Sequence, residues 1–328
     1  MRYRLNRGTS LLLFSIISFL AGCSSGLSSS GNSGDDGDIK DSQTTYKMIP
    51  ISDMSASDFY KGEEGGLYGN GSNEIPAGHL SFIQKRIDEI KPVNGKIGFI
   101  SIGMSNTSYE FKRFMRIASM DKNISEYLVI CNGAQGGVTA TEWRESSNRC
   151  WSELDNRLNR CMLSDDQVQI VWLKTAHREP QISMPDENSD AKQLKDDMIR
   201  MIINLKSKFP NLKIIYLSSR IYAGWATTKL NPEPFAYESG FAVRWVIEAQ
   251  MKNDPELNGE DFPALLWGPY LWSNGEEPNT FGISWAKEDY DPKDFTHPGR
   301  STGTIKAGQI LYNFFSDNVL SKKWFYYR

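Results

Sequence analysis

From residue 96 onward, short apolar runs rich in β-branched residues alternate with longer stretches whose apolar positions recur every three or four residues. The runs at 96–103 (KIGFISIG), 126–132 (EYLVICN), 168–173 (VQIVWL), 212–218 (LKIIYLS) and 263–268 (PALLWG) have the length and composition of buried strands. Between them, 108–120 places Phe111, Phe114, Met115 and Ile117 on or near one helical face, and 146–163 repeats Trp151, Leu154, Leu158 and Cys161 at helical spacing. A third periodic stretch, 191–209, is stopped by Pro210. The helix expected at 237–251 precedes the fifth strand, and a last helix is expected over roughly 304–316. Alternation with crossovers this long predicts an α/β fold with a five-stranded parallel sheet covered by helices on both faces.

The beginning of the chain reads differently. Arg2, Arg4 and Arg7 precede the apolar run SLLLFSIISFL, which is too short to span a bilayer and ends in LAGC at Cys23. This order resembles a bacterial lipoprotein signal, which implies removal of 1–22 and lipidation of Cys23. Residues 23–45, rich in Ser, Gly and Asp, then read as a flexible lipid-anchored linker, leaving 46–328 as the folded domain. The expected location is the bacterial cell envelope, at the outer membrane or periplasmic face, with the membrane as a partner through the anchor. Ser24 is compatible with outer-membrane sorting in a Gram-negative source.

Charge narrows the partners. The formal net charge is −3 with no lysine/arginine run, so nucleic acid is not expected as a partner. Beyond Cys23 lie Cys131, Cys150 and Cys161, with no CxxC or Cys/His cluster to suggest zinc. Cys150 and Cys161, on one expected helix, would lie about 16 Å apart along its axis. A disulfide needs Cα atoms within ~7 Å, so that pairing is not expected. KGEEGGLYGNGSN at 61–73 lacks the Gly-Lys-Ser/Thr ending of a phosphate loop and is read as a polar loop packed near the site. No metal and no cofactor are expected.

In a sheet of this kind the ligand site lies beyond the carboxyl ends of the strands. After the first strand, GMSNTSYEF carries Ser105 at a strand end and helix start, although Ser105 and Asn106 are also good N-caps. After the second, NGAQGGVTA offers Gly136 and Gly137, whose backbone N–H groups could approach an anion closely. Before the last helix, DPKDFTHPGR holds Asp294 three residues before His297, one of only three histidines. There the carboxylate can hold Nδ1–H and leave Nε2 free as a base.

Serine after strand one, glycine after strand two and Asp-x-x-His before the final helix is an order that resembles the SGNH (GDSL-type) hydrolases, over about 96–315. The resemblance implies a flavodoxin-like three-layer α/β/α sandwich and serine-dependent ester cleavage. By it, Ser105 is the nucleophile, His297 the general base and acid, and Asp294 its orienting partner. The Ser105 and Gly137 N–H groups, with Gly136 as the fallback, form the oxyanion hole. Two positions depart from the family pattern. GDS is GMS here, with Met104 in place of the aspartate. The third block, commonly Gly-x-Asn-Asp, reads LKTAH, so the oxyanion-donating asparagine aligns with Ala176.

Asn106, Lys174 and His177 are the candidates to replace that donor. With Arg220 and Tyr222, from the loop after strand four, they are also candidate substrate contacts. His79 is read as structural. Trp143, Trp225, Trp267, Trp272 and Trp285 fall at or beyond strand ends, where flat rings suit sugars as well as burial. The expected activity is removal of acetyl or other acyl groups from carbohydrate. The alternative is a non-catalytic glycan-binding lipoprotein on the same scaffold.

Overall fold

Each central strand is buried on both faces, which explains why its sequence reads as a continuous apolar run and not as an alternation. The computed structural model describes residues 47–328, so the signal segment 1–22, Cys23 and the linker 23–45 lie outside the described residues. A small antiparallel hairpin, β1 (Phe59–Tyr60) and β2 (Glu63–Glu64), precedes helix α1 (Ala77–Asp88). Then follow β3 (Ile97–Gly103), α2 (Ser105–Ala118), β4 (Leu128–Asn132), α3 (Ala140–Trp143) and α4 (Arg149–Arg160). The chain continues through β5 (Val168–Lys174), α5 (Asp190–Lys208), β6 (Ile214–Ser218), α6 (Phe235–Met251) and β7 (Ala264–Trp267). It closes with α7 (Gly303–Asp317) and α8 (Val319–Phe325).

The five-stranded sheet has the order β4-β3-β5-β6-β7 and every pair is parallel. Counted within the sheet this is 2-1-3-4-5, the flavodoxin-like doubly wound order. Successive strand residues divide between two cores, as the period of two requires. Ile100, Ile102, Val171, Leu173, Ile215 and Leu217 face α3–α6, packing with Trp143, Leu154, Met198 and Phe241. Phe99, Ile170, Trp172, Ile214 and Tyr216 face α1, α2, α7 and α8. The expected three-layer sandwich is the observed one.

Phe99 shows how the second core is held. Its ring centroid lies 5.2 Å from Phe111 of α2, 4.9 Å from Phe315 of α7 and 5.1 Å from Trp324 of α8, all at steep angles. Truncating such a ring to alanine costs about 3–5 kcal/mol.

Two local expectations change. The helix expected over 146–163 is shorter, starting where the Asn148 side chain caps the Cys150 N–H at 3.0 Å. Just past its end, Cys161 is disulfide-bonded to Cys131 of β4, with a Cα–Cα distance of 6.0 Å, and Cys150 is buried and free. Helical spacing between Cys150 and Cys161 says nothing about this bond, because it depends on α4 packing back against β4. In the chain-entropy view, closing a loop of this length stabilises by about 3–4 kcal/mol.

The loop at 61–73 is also tied away from where it was expected. Arg244 of α6 pairs with Glu63 at 2.7 Å, and Trp267 of β7 donates Nε1–H to the Leu67 carbonyl at 2.6 Å. These bonds run to α6 and β7, on the β7 side of the sheet. His79 is structural as expected: it is buried, with Nε2 2.7 Å from the Leu265 carbonyl.

Candidate active site

At the carboxyl end of β3 the chain order reverses, with β4 on one side and β5 on the other, and a crevice opens there in doubly wound sheets. Gly103 ends the strand at φ +147°, where an added Cβ would stand 1.9 Å from the Lys174 carbonyl oxygen. Only glycine lets the two backbones approach this closely. Met104 follows in an extended conformation as the cap, and Ser105 becomes the first residue of α2, three residues earlier than the helix expected from 108. A first-turn N–H has no intrahelical acceptor, so the Ser105 N–H points out of the helix beside its own hydroxyl.

The last helix is entered through a tight turn. The Asp291 N–H donates to the His297 carbonyl at 2.8 Å, and Tyr290 and Pro298 form an antiparallel bridge. Within this turn Asp294 Oδ1 accepts from the N–H groups of Thr296 (2.9 Å) and His297 (3.0 Å), while Oδ2 lies 2.5 Å from His297 Nδ1. Burial pushes the Asp294 carboxyl up, but the two backbone N–H groups and the imidazole outweigh it and leave its pKa below the usual value. A carboxylate there fixes the Nδ1–H tautomer. His297 Nε2 then lies 2.8 Å from Ser105 Oγ, across 192 residues of chain. Both ring partners are partly exposed, with 23% of the His297 side chain and 18% of the Asp294 side chain accessible. The three side chains can therefore move a proton from a surface-accessible hydroxyl to an oriented imidazole.

The loop after β4 runs beside the end of β3: the Gln135 N–H donates to the Gly103 carbonyl at 2.9 Å. Gly133 is required there by sterics, since a Cβ would meet the Ser101 carbonyl oxygen at 2.6 Å. Gly136 and Gly137 are exposed, and Gly137 takes φ +75° with its carbonyl held by the Arg178 guanidinium.

The residues named as candidate substrate contacts are buried or half-buried. Asn106 is buried and donates its amide to the Thr296 carbonyl at 3.0 Å, which pins the histidine turn onto α2. Lys174 is fully buried, with Nζ 2.6 Å from both oxygens of Glu110, and burial, only partly opposed by Glu110, lowers its pKa to about 8. His177 is tied by both ring nitrogens to α5, to Asp190 at 3.3 Å and Asp197 at 3.0 Å. Arg220 is buried, and burial lowers its pKa against the pull of Glu110, Tyr290, Glu233 and Asp294. Tyr222 is half-buried between Trp225 and Trp272, and its carbonyl accepts from the Tyr290 hydroxyl. Asn106, Lys174 and His177 brace the loops with their polar atoms already bonded inside the protein, and the Tyr222 ring is packed. Arg220 is buried as well, but its Nε and Nη2 have no hydrogen-bond partner among the described residues.

The tryptophans divide in the same way. Trp143, Trp272 and Trp285 are completely buried and Trp267 nearly so; none of these four can offer a ring to a sugar. Trp225 is partly exposed, in a loop whose Thr227 N–H donates to the Asp294 carbonyl at 3.0 Å. One residue at the site escaped the sequence reading. Tyr109 is exposed, with its ring centroid 6.0 Å from that of His297. Its position four residues after Ser105, one helical turn along, was the available signal.

Neither a family model nor a curated protein sequence matches the chain. Among solved structures it is similar to a Bacteroides fragilis protein provisionally described as an acylhydrolase, at 13% identity and a TM-score of 0.39, over 76% of this chain and 100% of that one. It is also similar to an Arabidopsis thaliana protein, at 12% identity and a TM-score of 0.35, over 63% of this chain and 67% of the other. A third is a salicylyl-acyltransferase from a tetracycline biosynthetic pathway, at 15% identity and a TM-score of 0.35, over 66% and 52%. At these TM-scores the likenesses carry no argument about what this chain does, and the geometry of its own site has to bear it.

Proposed function

We propose that this chain is a serine esterase of the SGNH (GDSL-type) kind, held at the cell envelope by a lipid on Cys23, that removes acetyl or other acyl groups from carbohydrate. The observation that carries the reading is the continuous chain of contacts from Ser105 Oγ through His297 to Asp294, at 2.8 and 2.5 Å. Such a chain is what activates a serine hydroxyl for attack on a carbonyl.

In this reading Ser105 Oγ adds to the ester carbonyl carbon as its proton passes to His297 Nε2, and Asp294 stabilises the imidazolium. The oxyanion is received by the N–H groups of Ser105 and Gly137. Collapse of the tetrahedral species breaks the bond to the sugar oxygen, which takes the proton from Nε2 and leaves as an alcohol. Water, deprotonated by the same imidazole, then attacks the acyl-serine and releases the acid. The Cys131–Cys161 disulfide supports an exported protein, since such bonds persist in oxidising compartments.

Ala176 favours a second reading, a glycan-binding protein without turnover. A missing side-chain oxyanion donor costs about 2.7–4 kcal/mol of transition-state stabilisation, and Asn106, Lys174 and His177, the candidates to replace it, are bonded elsewhere. A fluorophosphonate probe separates the two. The esterase should be labelled covalently, and Ser105→Ala should abolish labelling with an unchanged melting temperature. Folded wild-type protein that resists the probe at every pH where it stays folded would leave the binding reading in its place.

A further inference from the structure

Beside the triad lies a groove of about 360 Å³ lined by Tyr109, Lys112, Arg113, Arg116, Arg300 and Thr304. Its charge is opposite to that of the chain, which is −3. None of its four cations pairs with a carboxylate among the described residues, whereas Arg144, Arg157, Lys208 and Lys213 all do. The arrangement works against the fold: like charges at Lys112 and Arg116 are spaced i,i+4, which destabilises a helix. Attraction to the helix C-terminus accounts for Arg116 in the last turn of α2 but not for Lys112 or for Arg300, which is on another segment.

The groove borders the proposed reacting centre at Tyr109. Ser105, Tyr109, Lys112 and Arg116 stand at i, i+4, i+7 and i+11, a single stripe along α2 about 16 Å long. The Tyr109 ring joins the stripe to His297 at 6.0 Å, and Arg300 follows His297 by three residues. Arg113 ties the two walls together by donating Nη2–H to the Arg300 carbonyl at 3.1 Å. Its stem crosses Gly308 of α7, where an added Cβ would meet Arg113 Cγ at 2.5 Å.

The geometry points to a subsite for an acidic glycan: the acylated sugar lies at Ser105 against Tyr109, and carboxylate or sulfate groups on the following sugars lie along Lys112, Arg116 and Arg300. A polyanion is favoured because the unpaired cations are strung out in a line, and a glycan because the line starts at an exposed aromatic ring beside the serine. The inference rests on the esterase reading for the bond that is cut; the charge acts in binding whether or not Ser105 reacts.

Affinity of the folded protein is to be measured by calorimetry for an oligogalacturonate and for a neutral maltooligosaccharide of matched length, using wild type and Lys112→Ala/Arg116→Ala. Arg113 is left intact because it packs on α7. Wild type should prefer the acidic chain, and added salt should weaken that preference. The double variant should bind the acidic chain roughly five- to tenfold more weakly, the loss expected for two partly solvated charge contacts. Lys112→Arg/Arg116→Lys should restore binding, and fluorophosphonate labelling should be unchanged in both variants. Equal affinity for both oligosaccharides overturns the subsite. So does a double variant that loses binding to phosphatidylglycerol vesicles but keeps oligogalacturonate. If labelling fails in wild type while charge-dependent glycan binding persists, the esterase reading falls and the subsite stands. If labelling succeeds and charge dependence is absent, the subsite alone falls.

Discussion

Around Ser105, side chains from α2 and the turn at 294–297 keep their polar atoms facing one another or the surface. Beyond β5 and β6, on the same rim of the sheet, they turn inward. Lys174 closes on Glu110, His177 on Asp190 and Asp197, and Glu233 receives Trp272 Nε1–H at 2.7 Å together with the N–H groups of Ala223 and Tyr237. The contrast teaches that polar residues at the carboxyl edge of an α/β sheet are not all ligand contacts. In the proposed reading one group presents the chemistry while the other holds the loops that carry it, and a buried side chain with its hydrogen bonds made has little left to offer a substrate.

Asp294→Asn tests the presenting half most severely. The amide cannot hold the Nδ1–H tautomer as the carboxylate does, so esterase kcat should fall about 10⁴-fold with folding intact, as followed by ester hydrolysis and circular dichroism. A fall of only a few-fold would detach Asp294 from the chemistry. Lys174→Met tests the bracing half. Leaving the Glu110 carboxylate buried without its cation should destabilise by about 3–5 kcal/mol in a denaturant titration. Unchanged stability would mean that the pair is dispensable.

The finest comparison sets Asn106→Ala against His177→Ala. Each removes hydrogen bonds and should cost about 1–3 kcal/mol of stability. Only Asn106→Ala should slow fluorophosphonate labelling, because it releases the Thr296 carbonyl and with it the histidine turn. Equal slowing in both variants would erase the distinction between the two halves of the rim.

Much of this was legible in the chain because it is local. Strand runs and helical periods report burial directly, and the parallel sheet follows from their alternation. Asp294 and His297 sit three residues apart in one turn, so their pairing needs no knowledge of the rest of the fold. Ser105 is singled out by the order of three loops, and its approach to His297 depends on the fold bringing α2 and the turn before α7 together. The errors have a common cause. Asn106 adjoins Ser105 in sequence, but on a helix neighbouring residues point about 100° apart. One therefore faces His297 and the other lies buried beneath the turn. Trp272 and Trp285 stand beyond a strand end as a sugar platform would, yet other elements cover them.

Sequence alone determined the strand and helix layers, the parallel sheet and the short-range Asp–His turn, because each depends on side-chain periodicity or on spacing within a few residues. Tertiary structure decided which cysteines pair, which polar side chains face inward, and that cations from α2 and from the turn before α7 border one groove. Those outcomes rest on the direction of each Cα–Cβ bond and on the packing of distant segments, and neither is encoded in any short window of the chain.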